Sequence, residues 1–260
     1  MKVNDAGSNR IMMATGISLL GVILFIIGRV NDVLPLLDYG KVVQVSLLDS
    51  LSAATWIWVP ILVGIVAYMV WLWIPDGNSV FKGRYWFLPS ISILLLGLYH
   101  LFVGLHLDVL AWIVLLVLAA ALVLLLSALP SYPLGAKSTK RAPITLLVDI
   151  TFGLLLGYST YLLMKGLAGR VTALEHNWFM RNFFGLLMVI IYVGLLLIVG
   201  QISRRHLSVY VGGLWPLLLL VFADLFYMGG SVLVGLVALA AVVVAILFII
   251  GTSARKPLNY

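Results

Sequence analysis

The chain has 260 residues, of which 63% are hydrophobic and only 10% are charged, and its mean hydropathy is +1.19. A soluble globular domain carries about 25% charged residues, so this chain has too little polar material for a water-facing surface, and its apolar surface must face lipid. The net charge is +7. In a membrane protein the positions of the basic residues indicate the orientation of the spans, so this charge does not predict a nucleic-acid partner. The absence of cysteine excludes disulfides, thiolate catalysis and cysteine-based metal sites.

Eight apolar runs are long enough to cross a bilayer as helices, because a hydrocarbon core about 30 Å thick needs roughly 20 helical residues. The first run is long for a signal peptide and no small-x-small cleavage site follows it, so we interpret it as a permanent span. The third and fourth runs are separated only by LHLDVL, which predicts a tight hairpin. The eight runs cover about residues 11–29, 50–74, 87–106, 109–129, 144–165, 183–201, 207–226 and 231–251.

The basic residues predict the orientation of these spans. With the N-terminus in the cytoplasm, 11 of the 16 lysines and arginines fall in inside segments and 5 in outside segments, as the positive-inside rule requires. Seven spans would instead place the basic tail SARKPLNY outside. The sequence therefore predicts an all-α, multi-pass protein of the cell (plasma) membrane, with about eight transmembrane helices and both termini in the cytoplasm.

The predicted domains are a five-helix membrane bundle with a ligand pocket over residues 1–166 and three additional transmembrane helices over residues 167–260. The longest basic interruption, PSYPLGAKSTKRAP at residues 130–143, contains three prolines and is the most natural linker. The lipid bilayer is the predicted partner, together with a second copy of the chain or partner membrane subunits.

Two tryptophan pairs bracket the second span, Trp56 with Trp58 and Trp71 with Trp73. The spacing of 15 residues from the first pair to the second corresponds to about 22 Å of helix, close to the apolar thickness of a bilayer. Indole rings favour the headgroup level, so the pairs are typical of two aromatic belts. A ligand-binding role for the outer pair stays open beside that interpretation.

The fifth span carries the most polar groups. Asp149 lies about six residues into it. An ionisable group inside the membrane is unfavourable in free energy unless it has a polar partner or contacts water. Gly153 and Gly157 form a GxxxG pair that permits close helix approach. We expect either that Asp149 lines a cavity or that it reaches the cytoplasmic interface beside Lys140 and Arg141. The helical face that begins at Asp149 continues through Phe152, Gly153, Leu156 and Thr160, and hydroxyls follow on Tyr158, Ser159, Thr160 and Tyr161.

Metal binding and catalysis are not expected. His100 and His106, both assigned to the third span, are about 120° apart on a helix and cannot face one metal together, so neutral packed histidines are expected there. Asp224, at the end of the seventh span, is expected to be an interfacial carboxylate. The chain has no GxxxxGK[ST], HExxH or GxSxG motif, so no enzyme activity is predicted.

In order, the first five spans resemble the tryptophan-rich sensory protein family, the bacterial relatives of translocator protein, over about residues 11–166. The second span, TWIWVPILVGIVAYMVW, is similar to the family's Trp-rich helix. The close-coupled third and fourth spans, LLLGLYHLFVGLHLDVLAWIVLLVL, follow as in the family, and Gly157-Tyr158 stands where its fifth helix has a Gly-Trp or Tyr-x-x-Trp element. The chain lacks the paired prolines before the Trp-rich helix and the late asparagines of helices three and five.

This resemblance implies a five-helix pocket for a small lipophilic ligand such as a porphyrin or haem, in a sensory or transport-related role. No cofactor is assigned from the residues themselves. Two other functions stay open: a non-catalytic membrane subunit of a larger transporter or respiratory complex, and a proton-coupled transporter that uses Asp149. The candidate ligand-binding residues are Trp56, Trp58, Tyr68, Tyr99, Asp149 and Tyr158.

Overall fold

The computed structural model describes residues 5–33, 52–74, 87–129, 143–172, 178–226 and 231–253. Those residues form eight α-helices and one short 3₁₀ helix, Ser52–Ile57, that leads into the second of them. No strand occurs in these ranges, which confirms the all-α class. The α-helices are α1 (Asp5–Val33), α2 (Trp58–Leu72), α3 (Leu88–Gly104), α4 (Asp108–Ala128), α5 (Pro143–Thr172), α6 (Trp178–Ile202), α7 (Leu207–Phe226) and α8 (Val232–Ser253).

Seven helical segments are long and apolar enough to cross a membrane; the second of them, Ala54–Leu72, combines α2 with most of the 3₁₀ helix before it. Helix α3, with 17 residues, falls just short of that length. Helices are the expected form, because lipid offers no hydrogen-bond partner to an open backbone. Prolines start α3 and α5, at the positions where a missing N–H costs nothing. Each predicted apolar run therefore forms a helix within the described residues.

The helices belong to two compact units. Unit one holds α1, most of α2, α3, α4 and the start of α5, and unit two holds the 3₁₀ helix, the rest of α5, and α6 to α8. Their bounds are Met1–Val43, Pro60–Leu129 and Ala142–Phe152 for unit one, and Gln44–Val59, Pro130–Arg141 and Gly153–Tyr260 for unit two.

In unit one, glycines bring the backbones of α1 and α3 together. A methyl group on Gly21 would lie 2.5 Å from the Ile93 carbonyl oxygen, and one on Gly28 would lie 2.5 Å from the Leu101 nitrogen. The contact positions rise together along both helices, so α1 and α3 run in the same direction. Close approach through glycine is the usual way in which membrane helices gain packing contacts.

The connection between α3 and α4 is the tight hairpin that the sequence predicts. Leu107 donates its N–H to the Phe102 carbonyl at 2.9 Å, and His106 donates to Val103 at 3.0 Å. These two bonds and the positive φ of His106, 57°, form a Schellman motif. The assignment of His106 to the third span is wrong, because α3 ends at Gly104 and the turn exposes His106.

In unit two, α5 and α7 cross through small residues. A methyl group on Gly157 would lie 2.5 Å from the Gly213 nitrogen, and one on Gly153 would overlap the Ser208 hydroxyl. The predicted close approach at the GxxxG pair is confirmed. The contacts rise together along α5 and α7, whereas Gly200 of α6 meets Tyr210, near the start of α7. Thus α5 and α7 run in one direction, and α6 returns against α7.

Several predictions fall outside the described residues. These include most of the polar interruptions predicted at 30–49 and 130–143, and most of the basic residues that set the orientation. The interruption predicted at 166–182 is shorter than expected, because α5 continues to Thr172 and α6 begins at Trp178. Asp149 lies in α5 and is described, but Lys140 and Arg141 are not, so the predicted interfacial position beside them stays a prediction.

Candidate ligand-binding site

The two outer tryptophans of the second span lie in different surroundings. Trp56, in the 3₁₀ helix, is 71% exposed, whereas Trp58, the first residue of α2, is 6% exposed. The Trp58 ring meets the ring of Tyr158 edge to face, with 5.2 Å between centroids and 86° between planes. Edge-to-face packing is the favoured geometry for aromatic pairs and stabilises them beyond the burial of their area. Trp58 is therefore part of the interior of unit two, and Trp56 is part of its surface.

The contact of Trp58 with Tyr158 is the first in a row of aromatic side chains. Tyr158 lies 5.7 Å from Tyr161 of the same helix, and Tyr161 lies 6.0 Å from Tyr192 of α6, centroid to centroid. The Tyr192 hydroxyl then donates a hydrogen bond of 2.5 Å to the Gly213 carbonyl of α7. We call these four residues, Trp58, Tyr158, Tyr161 and Tyr192, the aromatic row. All four are buried.

Hydroxyl groups accompany the aromatic row along α5. Every residue from 151 to 161 is buried, so this stretch is enclosed on all sides and not only along the single face that the spacing predicts. Thr160 donates to the Leu156 carbonyl at 3.0 Å. The Ser159 hydroxyl is buried and has no hydrogen-bond partner among the described groups. A buried hydroxyl without a partner is costly in an apolar interior, so this position suits a polar group supplied from outside the chain.

The other three candidate residues belong to unit one. Tyr68 is fully buried, where its ring packs edge to face on Phe152 at 5.9 Å and its hydroxyl lies 3.4 Å from the Ser90 hydroxyl. Tyr99 is half-buried, and Asp149 is half-buried on α5. The structure therefore brings Trp58 and Tyr158 into direct contact and gives Tyr68 other partners.

His100 is enclosed by rings in unit one. Its imidazole lies 4.5 Å from the Phe25 ring and 4.9 Å from the Tyr99 ring, both close to edge to face. It is 5% exposed, and the α1 backbone at Gly28 lies against its own backbone. This packing does not suit an axial haem ligand, because a macrocycle would have to displace both rings. Within the described ranges no three histidine or acidic side chains lie close enough to hold a metal ion.

A second polar cluster in unit two joins α6, α7 and α8. Ser231 precedes α8 and its hydroxyl accepts the Val234 N–H at 3.3 Å, while the same hydroxyl donates to the Asn182 side-chain oxygen. The Ser231 N–H donates to an Asp224 carboxylate oxygen at 3.2 Å. A carboxylate is favourable at a helix N-terminus because it faces the positive end of the helix dipole. Ser231 is therefore the N-cap of α8 and Asp224 binds the N–H of that cap residue, which is a more specific role than the interfacial one predicted.

Sequence reasoning missed Tyr192 and Asn182. Tyr192 is the only hydroxyl-bearing residue in the apolar run LLMVIIYVGLLLIV, and a polar tip in mid-span needs a partner. That signal points to an interhelical bond without naming the acceptor. Asn182 stands at the end of a predicted loop, where a polar side chain gives no signal.

No family model, no curated protein and no solved structure matches this chain.

Proposed function

We propose that this chain is a multi-pass protein of the cell membrane that binds a small, flat, lipophilic ligand of the tetrapyrrole type beside the aromatic row. The observation that carries the proposal is the continuous series of ring contacts from Trp58 to Tyr192. Aromatic faces and a few placed hydroxyls are typical of sites for flat apolar ligands. The buried Ser159 hydroxyl supplies a polar group beside Tyr158.

Entry of a ligand requires the rings of the aromatic row to separate. Tyr192 connects the row to α7, and α7 carries Pro216 inside the helix. A proline removes one hydrogen bond of the helix ladder and allows bending there. A movement of this part of α7 would shift Tyr192 and open the row at one end. The ring faces would then be available for stacking.

The proposal includes eight crossings with both termini in the cytoplasm. The parallel pairing of α1 with α3 supports it, because the chain must return between two parallel helices and α2 is the helix available for that return. The antiparallel α3–α4 hairpin and the parallel pairing of α5 with α7 support the same alternation. Although α3 is short, its backbone packs against α1 at Gly21 and Gly28. Because α1 is long enough to cross the membrane, a parallel α3 beside it is expected to cross as well.

The test is a titration of the purified full chain in nanodiscs with protoporphyrin IX, followed by the Soret band. We expect a red shift and saturable binding. Trp58→Leu is expected to weaken binding roughly threefold to tenfold, the effect of one aromatic contact. Trp56→Leu is the matched control, because this exposed tryptophan lies two residues away and should leave binding unchanged. Absence of a Soret shift at micromolar porphyrin, or equal losses in the two variants, would overturn the proposal.

A further inference from the structure

The turn between α6 and α7 in unit two holds two adjacent arginines in an unusual backbone conformation. Arg204 and Arg205 have φ angles of 59° and 61°, in the left-handed region that glycine adopts freely and other residues avoid. The turn closes with a Schellman pair, in which Arg205 donates its N–H to the Gly200 carbonyl at 2.8 Å and Arg204 donates to Gln201 at 3.2 Å. Glycine would serve the backbone better at Arg204, so the arginine side chains call for a separate explanation.

The side chain of Arg205 is held in place. Its Nε donates to the Gln201 side-chain oxygen at 2.8 Å. Tyr210 of α7 is buried beside this pair, and its ring occupies the space that Gly200 leaves open. Both arginines are nevertheless exposed. An exposed arginine whose Nε is held by a neighbouring side chain is oriented for paired hydrogen bonds with a phosphate or carboxylate.

The neighbours of the two arginines indicate which kind of anion they meet. Ile202 is 58% exposed and Leu207 is 44% exposed, so apolar side chains flank the arginines on both sides of the turn. Asn182–Ile202 and Leu207–Phe226 are both candidate spans, which places the turn where two spans end. Between Glu175 and Asp224 the sequence has no acidic residue. An anion supplied from outside the hairpin, at the ends of two candidate spans and beside exposed apolar side chains, has the chemistry of a lipid headgroup phosphate.

We propose that Arg204 and Arg205 form a binding site for the phosphate of an anionic phospholipid at the α6–α7 turn. Gln201 acts as a positioning residue, because it fixes Arg205 through Nε. The lipid's acyl chains would lie along exposed apolar side chains such as Ile202 and Ile198. This site goes beyond the ligand proposed for the aromatic row and does not depend on that ligand.

The experiment compares the full chain in nanodiscs of phosphatidylcholine with the chain in nanodiscs that also contain phosphatidylglycerol. We expect a higher Tm with phosphatidylglycerol and phosphatidylglycerol retained in native mass spectra. The double variant Arg204→Gly/Arg205→Gly should lose both effects, while its Tm in phosphatidylcholine stays equal or rises because glycine relieves the backbone. Each arginine lost is expected to weaken lipid binding roughly tenfold, as for a charge-assisted hydrogen bond.

Two controls make the experiment decisive. Arg10→Gln removes an exposed basic residue from α1 and should keep the full gain from phosphatidylglycerol. If it loses as much as the double variant, general electrostatics explain the gain and the site is wrong. Soluble glycerol phosphate added to phosphatidylcholine nanodiscs should leave Tm unchanged. If it raised Tm as much as phosphatidylglycerol does, the ligand would be a free phosphate and not a lipid, and the proposal would be overturned. An unchanged gain in the double variant would also overturn it.

A second variant covers the case in which the double variant fails to fold. Gln201→Met keeps the charge and the length of the side chain but removes the acceptor that holds Arg205. We expect it to fold and to retain less phosphatidylglycerol than the wild type. Equal retention by this variant and the wild type would mean that the orientation of Arg205 has no part in lipid binding, which contradicts the proposed site.

Discussion

The hydroxyl of Tyr192 donates a hydrogen bond of 2.5 Å to the carbonyl of Gly213, three residues before the proline inside α7. Because Pro216 has no N–H, the Gly212 carbonyl four residues earlier has no donor from the helix ladder. The tyrosine therefore binds the turn that the proline weakens. The bond reaches the Gly213 carbonyl and not the Gly212 carbonyl, so it holds α7 to α6 beside the proline without replacing the missing ladder bond.

Replacing Tyr192 by phenylalanine tests this bond. Tyr192→Phe should lower the free energy of unfolding by about 0.5–1.5 kcal/mol, the usual net value of one hydrogen bond. Pro216→Ala restores a backbone donor to the same turn, so the loss caused by Tyr192→Phe should be smaller in that background. Unfolding of the four proteins in a double-mutant cycle measures the coupling. Strictly additive effects would show that the tyrosine bond and the proline act independently.

The glycines of α5 give a prediction with a control in the same helix. Gly157→Ala places a methyl group against the Val209 carbonyl and the Gly213 nitrogen, whereas Gly169 has open space around it. Gly157→Ala should therefore destabilise unit two by about 1–3 kcal/mol through overpacking. Gly169→Ala should stabilise the helix by roughly 0.5–1 kcal/mol, because alanine loses less backbone freedom on folding. Thermal unfolding in nanodiscs separates the two signs.

The same comparison in unit one uses Gly21 and Gly16 of α1. A methyl group on Gly21 meets the α3 backbone, and one on Gly16 meets nothing within 4 Å. Gly21→Ala should be destabilising and Gly16→Ala neutral or stabilising. If all four alanine variants unfolded alike, backbone contact at Gly21 and Gly157 could not be the cause.

The α3–α4 turn predicts different effects on stability for two substitutions at one exposed position. His106 has a φ of 57°, where glycine is unstrained and a β-branched residue is strongly disfavoured. His106→Gly should leave stability unchanged or raise it slightly, because the relief of backbone strain is offset by the greater freedom of glycine in the unfolded chain. His106→Val should lower it by about 1–2 kcal/mol. Chemical unfolding of both variants checks the difference, and equal values would exclude a positive φ at this residue.

The existence of the helices could be predicted from sequence, but the number of crossings and the packing could not. Long runs of apolar residues are a strong signal for a helix. In lipid the backbone N–H and C=O groups find no water, and a helix pairs them all within the segment. The ends of the helices are harder to predict from sequence, as His106 shows. The apolar run continues past Gly104, where α3 ends. The turn depends on the positive φ of His106, which the sequence LHLDVL does not specify. The GxxxG spacing in α5 correctly indicated close approach, but Gly212 and Gly213 as its partners came only from the structure.

The candidate site could be predicted only in part for a related reason. Aromatic residues near span ends look alike in sequence whether they face lipid or protein. The sequence therefore does not distinguish Trp56 from Trp58, although the first is exposed and the second is buried in the structure. Tyr192 gave a signal but no partner, because the acceptor is a backbone carbonyl and every residue has one. Contacts between distant helices depend on rotation about each helix axis, which periodicity does not determine when every face is apolar.

The cluster at the start of α8 predicts a structural role for Asp224. Ser231→Ala removes the cap of α8 and the bond to Asn182, and should cost about 1 kcal/mol of stability. Asp224→Asn retains a side-chain oxygen that can accept the Ser231 N–H, so it should cost less than Asp224→Leu, which retains none. Unfolding of the three variants tests this order. A large loss in Asp224→Asn, equal to that of Asp224→Leu, would show that the negative charge itself is required.

The eight-crossing topology predicts that the two termini lie on the same side of the membrane. The chain has no native cysteine, so Lys2→Cys and Lys256→Cys can each be labelled without background in right-side-out vesicles. Both should resist a membrane-impermeant maleimide until the membrane is permeabilised, because both ends are expected in the cytoplasm. Lys41→Cys, in the predicted first outer loop, is the positive control and should react at once. Opposite reactivity at Lys2→Cys and Lys256→Cys would require an odd number of crossings. In that case α3, the described α-helix that falls short of the length of a candidate span, would be the first to lose its assignment as a crossing.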